Sequence, residues 1–486
     1  MYNYDKRLVV CFKHTNTQTH KHTNTQTHKH TNTQTHKHTN TPPQTMEYLA
    51  LVLFFLIFIF ILFGFPVAFT LGGLSILFGY FTLGVDFFNF LPSRIMGTMN
   101  NVVLIAVPLF VYMGIMLEKS GLAESLLETM AMLFGKVRGG LAISVVIVGA
   151  LLAASTGIVG ATVVTMGLIS LPTMLKRGYK TELATGTIAA SGTLGQIIPP
   201  SIVLVLLADT LSNSAGKQSV DVGTMFTAAL VPGLLLVVLY VFYIAIVAYF
   251  KPEIAPSMPQ EEIDAFWKEG VWGRVFKAFF LPLLLIVAVL GSIFAGVASP
   301  TEAAAVGAMG ATILTIIQGR FSLSILRSVM QETTHLTCMV FLILVGATTF
   351  SLVFRGLGGD DFLIHLIQSS NLSPMGFLFL VMLAIFIAGF FIDFIEIIFI
   401  IVPVVAPIFA SFDMNLLWIG ILIAMNLQTS FLTPPFGFAL FYLKGVAPQG
   451  VTTQHLYRGI IPFIIIQIIF LTLIVLFPDM VLMFVD

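Results

Sequence analysis

The polar residues with the strongest chemical promise gather around two double prolines. Ahead of Pro199-Pro200 runs Ser191-Gly192-Thr193-Leu194-Gly195-Gln196; around Pro434-Pro435 lie Asn426, Gln428, Thr429, Ser430 and Thr433, with Gly437 just beyond. Both clusters interrupt otherwise apolar stretches, 181–211 and 415–443. Proline lacks an N–H and clashes with the preceding turn, so each pair breaks its helix. Within a bilayer the freed backbone groups find no water, and a break survives only where protein, water or a ligand replaces the lost bonds. Hydroxyl and amide oxygens with unwound carbonyls make a neutral site suited to a weakly held alkali cation, while half-helix N-termini aim positive dipoles at an anion. A kink whose polar groups cap their own backbone is the plainer reading of one break. Two in matching positions favour a binding site.

Two more apolar stretches, 139–175 and 374–411, are interrupted near the middle, at Ser155-Thr156-Gly157 and between Gly389 and Asp393. Read as hairpin tips, they supply an opposing wall to the broken helices. Asp393 and Glu396 are three residues apart on an apolar helix and share a face, and a carboxylate at membrane depth suggests function. The alternative is a protonated or hydrogen-bonded structural group. Glu302 reads differently, because Ser299-Pro300-Thr301-Glu302 matches a helix capping box. His335 and His365 have no partner at ligand spacing, no CxxC motif occurs, and Cys338 in an apolar helix reads as a small packing residue. No resident cofactor or metal cluster is expected, and an enzyme reading is weak.

Membrane helices must position these residues. Of 486 residues, 57% are hydrophobic and 9% charged, against about a quarter charged in soluble domains. The net charge of zero gives no basis for a nucleic-acid partner. Simple spans fall at about 48–64, 66–84, 102–117, 225–250, 275–297, 300–317, 332–354 and 459–477, near the roughly 17–25 residues a helix needs to cross hydrocarbon. Short alternating strands of a β-barrel are not seen. Segment 120–133, with Glu118 and Lys119 before it and Glu124 and Glu128 among its leucines, reads as an interfacial helix without chemistry.

Lys136 and Arg138 on one side of the first interrupted stretch, and Lys176, Arg177 and Lys180 on the other, place both its ends in the cytoplasm, so it enters and leaves on one side. Counting crossings onward puts the 251–277 loop, Arg320, Arg327, Lys444 and Arg458 inside and both termini outside. Arg94 and Arg355 are exceptions to the charge bias. Pro199-Pro200 recurs 235 residues later as Pro434-Pro435, and Phe65-Pro66 recurs 234 later as Ser299-Pro300. The expected fold is therefore an all-α polytopic protein of two inverted-topology repeats, about 48–250 and 275–477, each with a re-entrant hairpin and a proline-broken helix, an architecture of secondary transporters.

Residues 14–41 repeat His-Thr-Asn-Thr-Gln-Thr-His-Lys without an apolar side chain. Such a segment buries too little surface to offset the entropy of ordering, so 1–45 is expected to be a disordered low-complexity tail. Its His-Lys-His pairs reflect biased composition rather than a metal site. Met46, where the apolar run begins, reads as the biological start.

With these motifs in order, the sequence from Met46 to Asp486 resembles the DctM-like large subunit of TRAP (tripartite ATP-independent periplasmic) transporters. The resemblance rests on Ala106-Val-Pro-Leu-Phe through Gly114, Ser120-Gly121-Leu122, Gly139-Gly140-Leu141, Pro172 with Gly178-Tyr179, Gly195-Gln-Ile-Ile-Pro-Pro-Ser201, Ser299-Pro-Thr-Glu-Ala303 and Leu432-Thr-Pro-Pro-Phe-Gly437. It implies a bacterial inner-membrane subunit that works with a small four-helix membrane subunit and a periplasmic substrate-binding protein. It also implies sodium-coupled uptake of carboxylates such as C4-dicarboxylates or sialic-acid-like anions by an elevator motion, with Na+ as the coupling ion. The 14–41 repeat has no counterpart in that family, and no fused small subunit is expected before Met46. No GxxxxGK[ST] signature offers ATP as another energy source. A stand-alone sodium/anion symporter of related fold is the alternative. On either reading, Ser191→Leu or Asp393→Ala is expected to abolish transport while leaving membrane insertion intact.

Overall fold

The structure is a computed structural model and describes residues 44–485 apart from 158, 215–218, 269–272, 274 and 371. The expectations for the tail before residue 44 lie outside the described residues. No strand occurs among them.

The first half comprises α1 (Gln44–Leu62), α2 (Val67–Leu83), α3 (Leu91–Met99), α4 (Ala106–Lys119) and α5 (Leu122–Leu133), then the hairpin α6 (Gly140–Thr156) and α7 (Val159–Lys176). The broken pair α8 (Thr181–Thr193) and α9 (Ile202–Ser214) and the long α10 (Val222–Phe250) complete it. A linker carries α11 (Gln260–Lys268). A π-helical turn at Phe276–Phe280 then leads into α12 (Leu281–Phe294), followed by α13 (Pro300–Ile317), α14 (Leu323–Gly356) and α15 (Gly359–Ser369). The second hairpin is α16 (Pro374–Ala388) with α17 (Phe394–Ser411); α18 (Leu416–Leu432), α19 (Phe438–Val446), α20 (Thr453–Leu476) and the short α21 (Asp479–Leu482) end the chain. Every element of the first half has a mate: α1 with the π turn and α12, α2 with α13, α3 and α4 with α14, α5 with α15, and α6 to α10 with α16 to α20. The first half crosses with α1, α2, α4, the α8–α9 pair and α10, an odd number, which hands the second half the opposite orientation.

Eight described helical spans are long and apolar enough to cross a membrane, and they include the second arm of each hairpin, Val159–Lys176 and Phe394–Ser411. The expected spans are found with small changes of boundary. The largest is α14, which starts at Leu323, not 332, because Ser322 caps it by accepting from the Ile325 N–H at 3.1 Å. The Ser299 box forms as read: the Ser299 N–H donates to Glu302 Oε2 at 2.8 Å and Pro300 opens the helix. Glu118 and Lys119 belong to the end of α4, and α5 buries Leu122, Leu126, Leu127 and Met130 against the protein. Cys338 is exposed on α14, which corrects its reading as a packing residue.

Two groups of helix contacts join the repeats. In one, α2 packs on α14 and α4 on α13, so the repeats exchange partners. The Tyr112 and Thr312 hydroxyls meet across α4 and α13 at 2.9 Å. In the other, the second arm of each hairpin is covered by the half-helix of the opposite repeat, α7 by α19 and α17 by α9. Helix α20 lies against α8 so closely that a Cβ on Gly459 would meet the Glu182 carbonyl and one on Gly186 would meet the Gly459 carbonyl. Small residues permit such backbone approach where lipid offers no hydrophobic drive for helix association.

The linker between repeats is stitched beneath the first hairpin. The Gly139 N–H donates to the Ala255 carbonyl at 2.9 Å and the Lys180 N–H to that of Ile254 at 3.0 Å, so both ends of the hairpin hold it. Tyr179 is buried there; burial pushes its hydroxyl up to about 12, against the opposing effect of the Leu141 and Ala142 backbone. Arg177 bonds Glu262 of α11 at 2.5 Å and holds its carboxyl below the usual range. A depressed carboxyl contributes its stability above the unfolded pKa and loses it as pH falls through the folded one. Proteolysis within 251–268 should therefore quicken on acidification from pH 7 to below 4, by about two-fold, since exposed pairs contribute under ~1 kcal/mol. Arg177→Gln should cleave at one rate at both pH values.

Candidate functional site

At the first break, a three-residue 3-10 turn, Leu194–Gln196, follows α8, and the chain is irregular to Ser201 before α9 begins. Every residue from Ser191 to Pro200 is buried. The hairpin tip comes to this stretch. Gly157 adopts φ +61 and donates its N–H to the Ala153 carbonyl at 2.9 Å, and a Cβ there would lie 3.1 Å from the Ile202 N, at the start of α9. A Cβ on Gly195 would sit 2.5 Å from the Ala153 carbonyl oxygen, so the break wraps the end of α6. Gly192 abuts Val163 of α7. Ser155 and Thr156 end α6, and their side chains lie outside the described part of the structure.

Most hydroxyls at this break turn back onto their own chain. Ser191 donates to the Ile188 carbonyl at 3.0 Å, Thr193 to Ala190 at 2.9 Å and Ser201 to Gln196 at 3.0 Å. Gln196 is different. Its side chain is fully buried, and neither its Nε2 nor its Oε1 has a hydrogen-bond partner among the described residues. A buried amide left unpaired costs roughly 1–3 kcal/mol, and the atoms best able to meet a ligand are these two.

The second break, from Thr433 to Gly437, is more open, with Pro435 and Phe436 exposed. Pro199-Pro200 and Pro434-Pro435 each contain a cis peptide bond. Tyr457 of α20 donates to the Pro435 carbonyl at 2.5 Å, and Phe391 of the hairpin tip lies against Phe436 with ring centroids 5.0 Å apart. Asn426 donates to the Met382 carbonyl at 2.7 Å and Ser430 to that of Phe386 at 2.9 Å, which fixes α18 to α16. Thr429 and Thr433 bond the carbonyls four residues back. Gln428 is fully buried with both amide atoms unpartnered. It lies beside the Tyr240 hydroxyl, which already accepts from Gln467 at 2.6 Å, but outside hydrogen-bond geometry to it.

Asp393 and Glu396 are brought together as a capping box. The Phe394 N–H donates to Asp393 Oδ1 at 2.8 Å and the Asp393 N–H to Glu396 Oε2 at 3.2 Å. Both carboxylates thus have structural work at the start of α17, and the D-x-x-E pattern before an apolar run was the available signal. The amide set Gln428, Gln467 and Tyr240 was not foreseen beyond Gln428, since isolated polar residues on long apolar helices carry no local pattern. Among the described residues no three His, Cys, Asp or Glu side chains converge as a metal site. What both breaks present instead is neutral oxygen and nitrogen.

Each hairpin thus packs on the broken helix of the opposite repeat, and each broken helix carries a buried glutamine amide without a hydrogen-bond partner among the described residues. The family model for the DctM component of the tripartite ATP-independent periplasmic transporters matches residues 54–480. The chain belongs to this family. It is similar to the C4-dicarboxylate TRAP transporter large permease protein DctM of Pseudomonas aeruginosa, with 32% identity over 394 residues, 80% of this chain and 87% of that one. It is also similar to the ectoine TRAP transporter large permease protein TeaC of Halomonas elongata, at 28% identity over 86% of this chain and 95% of that one. The crystal structure of the Alcanivorax borkumensis YdaH transporter, described as having an unusual topology, aligns with a TM-score of 0.60 at 13% identity, over 89% of this chain and 98% of that one. This likeness is one of fold. The DctM-family chain is thus a TRAP large permease and a multi-pass inner-membrane protein, of a family that works with a small membrane subunit and a periplasmic binding protein.

Proposed function

We propose that this TRAP large permease imports a small organic anion of the carboxylate class, coupled to sodium, after delivery by a periplasmic binding protein and with a small four-helix membrane subunit as partner. The observation that carries the reading is the paired break with buried, unpartnered amides at Gln196 and Gln428. Sodium suits carbonyl, hydroxyl and amide oxygens that bring no net charge, and the anion suits the N-terminal ends of α9 and α19. The substrate and cation site comprises Ser155, Thr156, Gly157, Ser191, Gly192, Thr193, Gly195, Gln196, Pro199 and Pro200 in one half. In the other it comprises Asp393, Asn426, Gln428, Thr429, Ser430, Thr433, Pro434, Pro435 and Gly437. Within this set the Gln196 and Gln428 amides are the groups left to bind, while Ser191, Thr193, Asn426 and Ser430 chiefly hold the frame. The hairpins and broken helices move past the other helices as an elevator, and no bond is made or broken in the cargo. The named relatives differ in cargo, a dicarboxylate and ectoine, and a carboxylate is what those two molecules share.

The test is uptake by proteoliposomes holding this chain, the small subunit and the binding protein, with succinate and ectoine as probes. An inward sodium gradient should raise uptake of a transported probe at least about ten-fold, equivalent to ~1.4 kcal/mol of coupling. Equal uptake with and without the gradient would reject sodium coupling. Uptake by the large chain alone would favour the stand-alone symporter.

A further inference from the structure

A cavity of about 650 Å³ lined by both polar and apolar side chains lies apart from the two breaks, between α3 and α14 on one side and the end of α9 with α17 on the other. Arg94 and Arg355, the two arginines that defy the charge bias of this chain, both line it. They come from distant segments, yet fold into one wall. Arg355, at the end of α14, bonds Asp360 of α15 through Nε at 3.1 Å and donates through Nη2 to the Ser214 carbonyl at the end of α9 at 3.2 Å. That bracing fixes its guanidinium. Arg94 on α3 is exposed and has no ion-pair partner among the described residues. The one carboxylate lining the cavity, Asp209, accepts from Asn101 at 2.5 Å and Asn213 at 3.0 Å through a single oxygen, so part of its charge is met on the wall. Phe399 and Pro403 of α17 also line it, on the helix that the Asp393 tip begins.

A planar guanidinium with free donors matches a carboxylate, and a second one held nearby raises the local anion concentration in a cleft with low-dielectric walls. We propose that this cavity is a separate carboxylate-binding antechamber on the periplasmic side, where Arg94 and Arg355 hold the released anion before it reaches the broken helices. The proposal rests on the reading of the chain as a carrier of organic anions. It gives the two arginines a common purpose that neither the Arg355–Asp360 ion pair nor the charge bias supplies.

Arginine labelling by phenylglyoxal in the assembled complex, read by mass spectrometry, tests occupancy without relying on transport. Millimolar succinate should slow labelling of Arg94 several-fold, and uncharged succinamide should leave it unchanged. Arg94→Gln, which breaks no contact of the fold, should raise the concentration for half-maximal succinate uptake by about ten-fold with little change in maximal rate, the scale of one hydrogen bond to a charged group. The double variant Arg355→Gln with Asp360→Asn should do the same without leaving an unpaired acid. Unchanged Arg94 labelling in a complex that still takes up succinate would overturn the antechamber and leave the transport reading standing. Protection by substrate-free binding protein, but by no carboxylate, would also overturn it and give the arginines to protein docking. Loss of both uptake and protection for every carboxylate tried would reject the two readings together.

Discussion

Gln196→Leu should lower uptake at least about ten-fold while leaving the protein as stable as before, or slightly more so. The side chain is fully buried, and its two polar atoms have no hydrogen-bond partner among the described residues. Leucine has similar bulk and no polar atom, so a purely structural Gln196 would be replaced at no cost, because removing an unsatisfied buried amide removes its desolvation penalty. A ligand-binding Gln196 loses a hydrogen bond to a charged or strongly polarised partner, worth about 1.5–3 kcal/mol, which lowers uptake by roughly 10- to 150-fold. The decisive measurement pairs transport with the thermal midpoint in detergent. Wild-type uptake by the variant would remove Gln196 from the site. A collapse of the midpoint would show that the amide has structural partners. This substitution is a cleaner probe than Ser191→Leu, because Ser191 packs against Gly149, where a Cβ would already lie 2.6 Å from its own. It is also cleaner than Asp393→Ala, which removes a helix cap.

The second large effect is expected at the α8–α20 contact. Gly459→Leu would drive a side chain into the Glu182 carbonyl and toward the Thr185 hydroxyl 3.0 Å from the Cβ position. Backbone cannot yield there as a flexible side chain would. Overpacking of this kind costs about 1–3 kcal/mol and occasionally more, and α8 carries the first break directly beyond the contact. The variant should lose most of its folded, monodisperse yield on fluorescence-detected size exclusion, and what remains should melt several degrees lower. A matched substitution at Gly445, where a Cβ meets nothing within 4 Å, should be tolerated. Equal behaviour of the two variants would mean that α8 and α20 are not packed as closely as described.

Much of the fold was legible because lipid writes strong rules into sequence. Long apolar runs, proline pairs at one offset and the Ser299 box each had a physical reason and each is present. The short elements were harder. Helix α3 and the turn Val85–Phe90 are too brief and mixed to show a period, and their placement depends on packing, of α3 on α14 and of the turn on α2 and α3. The candidate site was legible as a neighbourhood, not as a set of roles. Sequence named the hydroxyls of Ser191, Thr193 and Thr429 beside Gln196, but it could not say that the hydroxyls bond their own helices while the amide is left free. Depth in an apolar helix singles out Asp393 and Glu396, while their three-residue spacing describes a cap. Partnerships across the chain, such as Asn101 with Asp209 or Gln467 with Tyr240, exist only once the helices pack.

The reciprocal covering of α7 by α19 and α17 by α9 also sets a schedule for synthesis. When Lys176 leaves the ribosome, the helix that will cover its hairpin arm begins only at Phe438. The intervening stretch of about 260 residues takes roughly 13–52 s at ~5–20 residues per second. For that interval the first hairpin sits in the membrane with one flank uncovered, and Gly160 and Gly167 have no Tyr442 or Leu443 to meet. A newborn chain of this kind is thus completed backwards, its earliest hairpin among the last parts to find its neighbours. Stalling of synthesis before Phe438 would strand a half that no amount of time can finish.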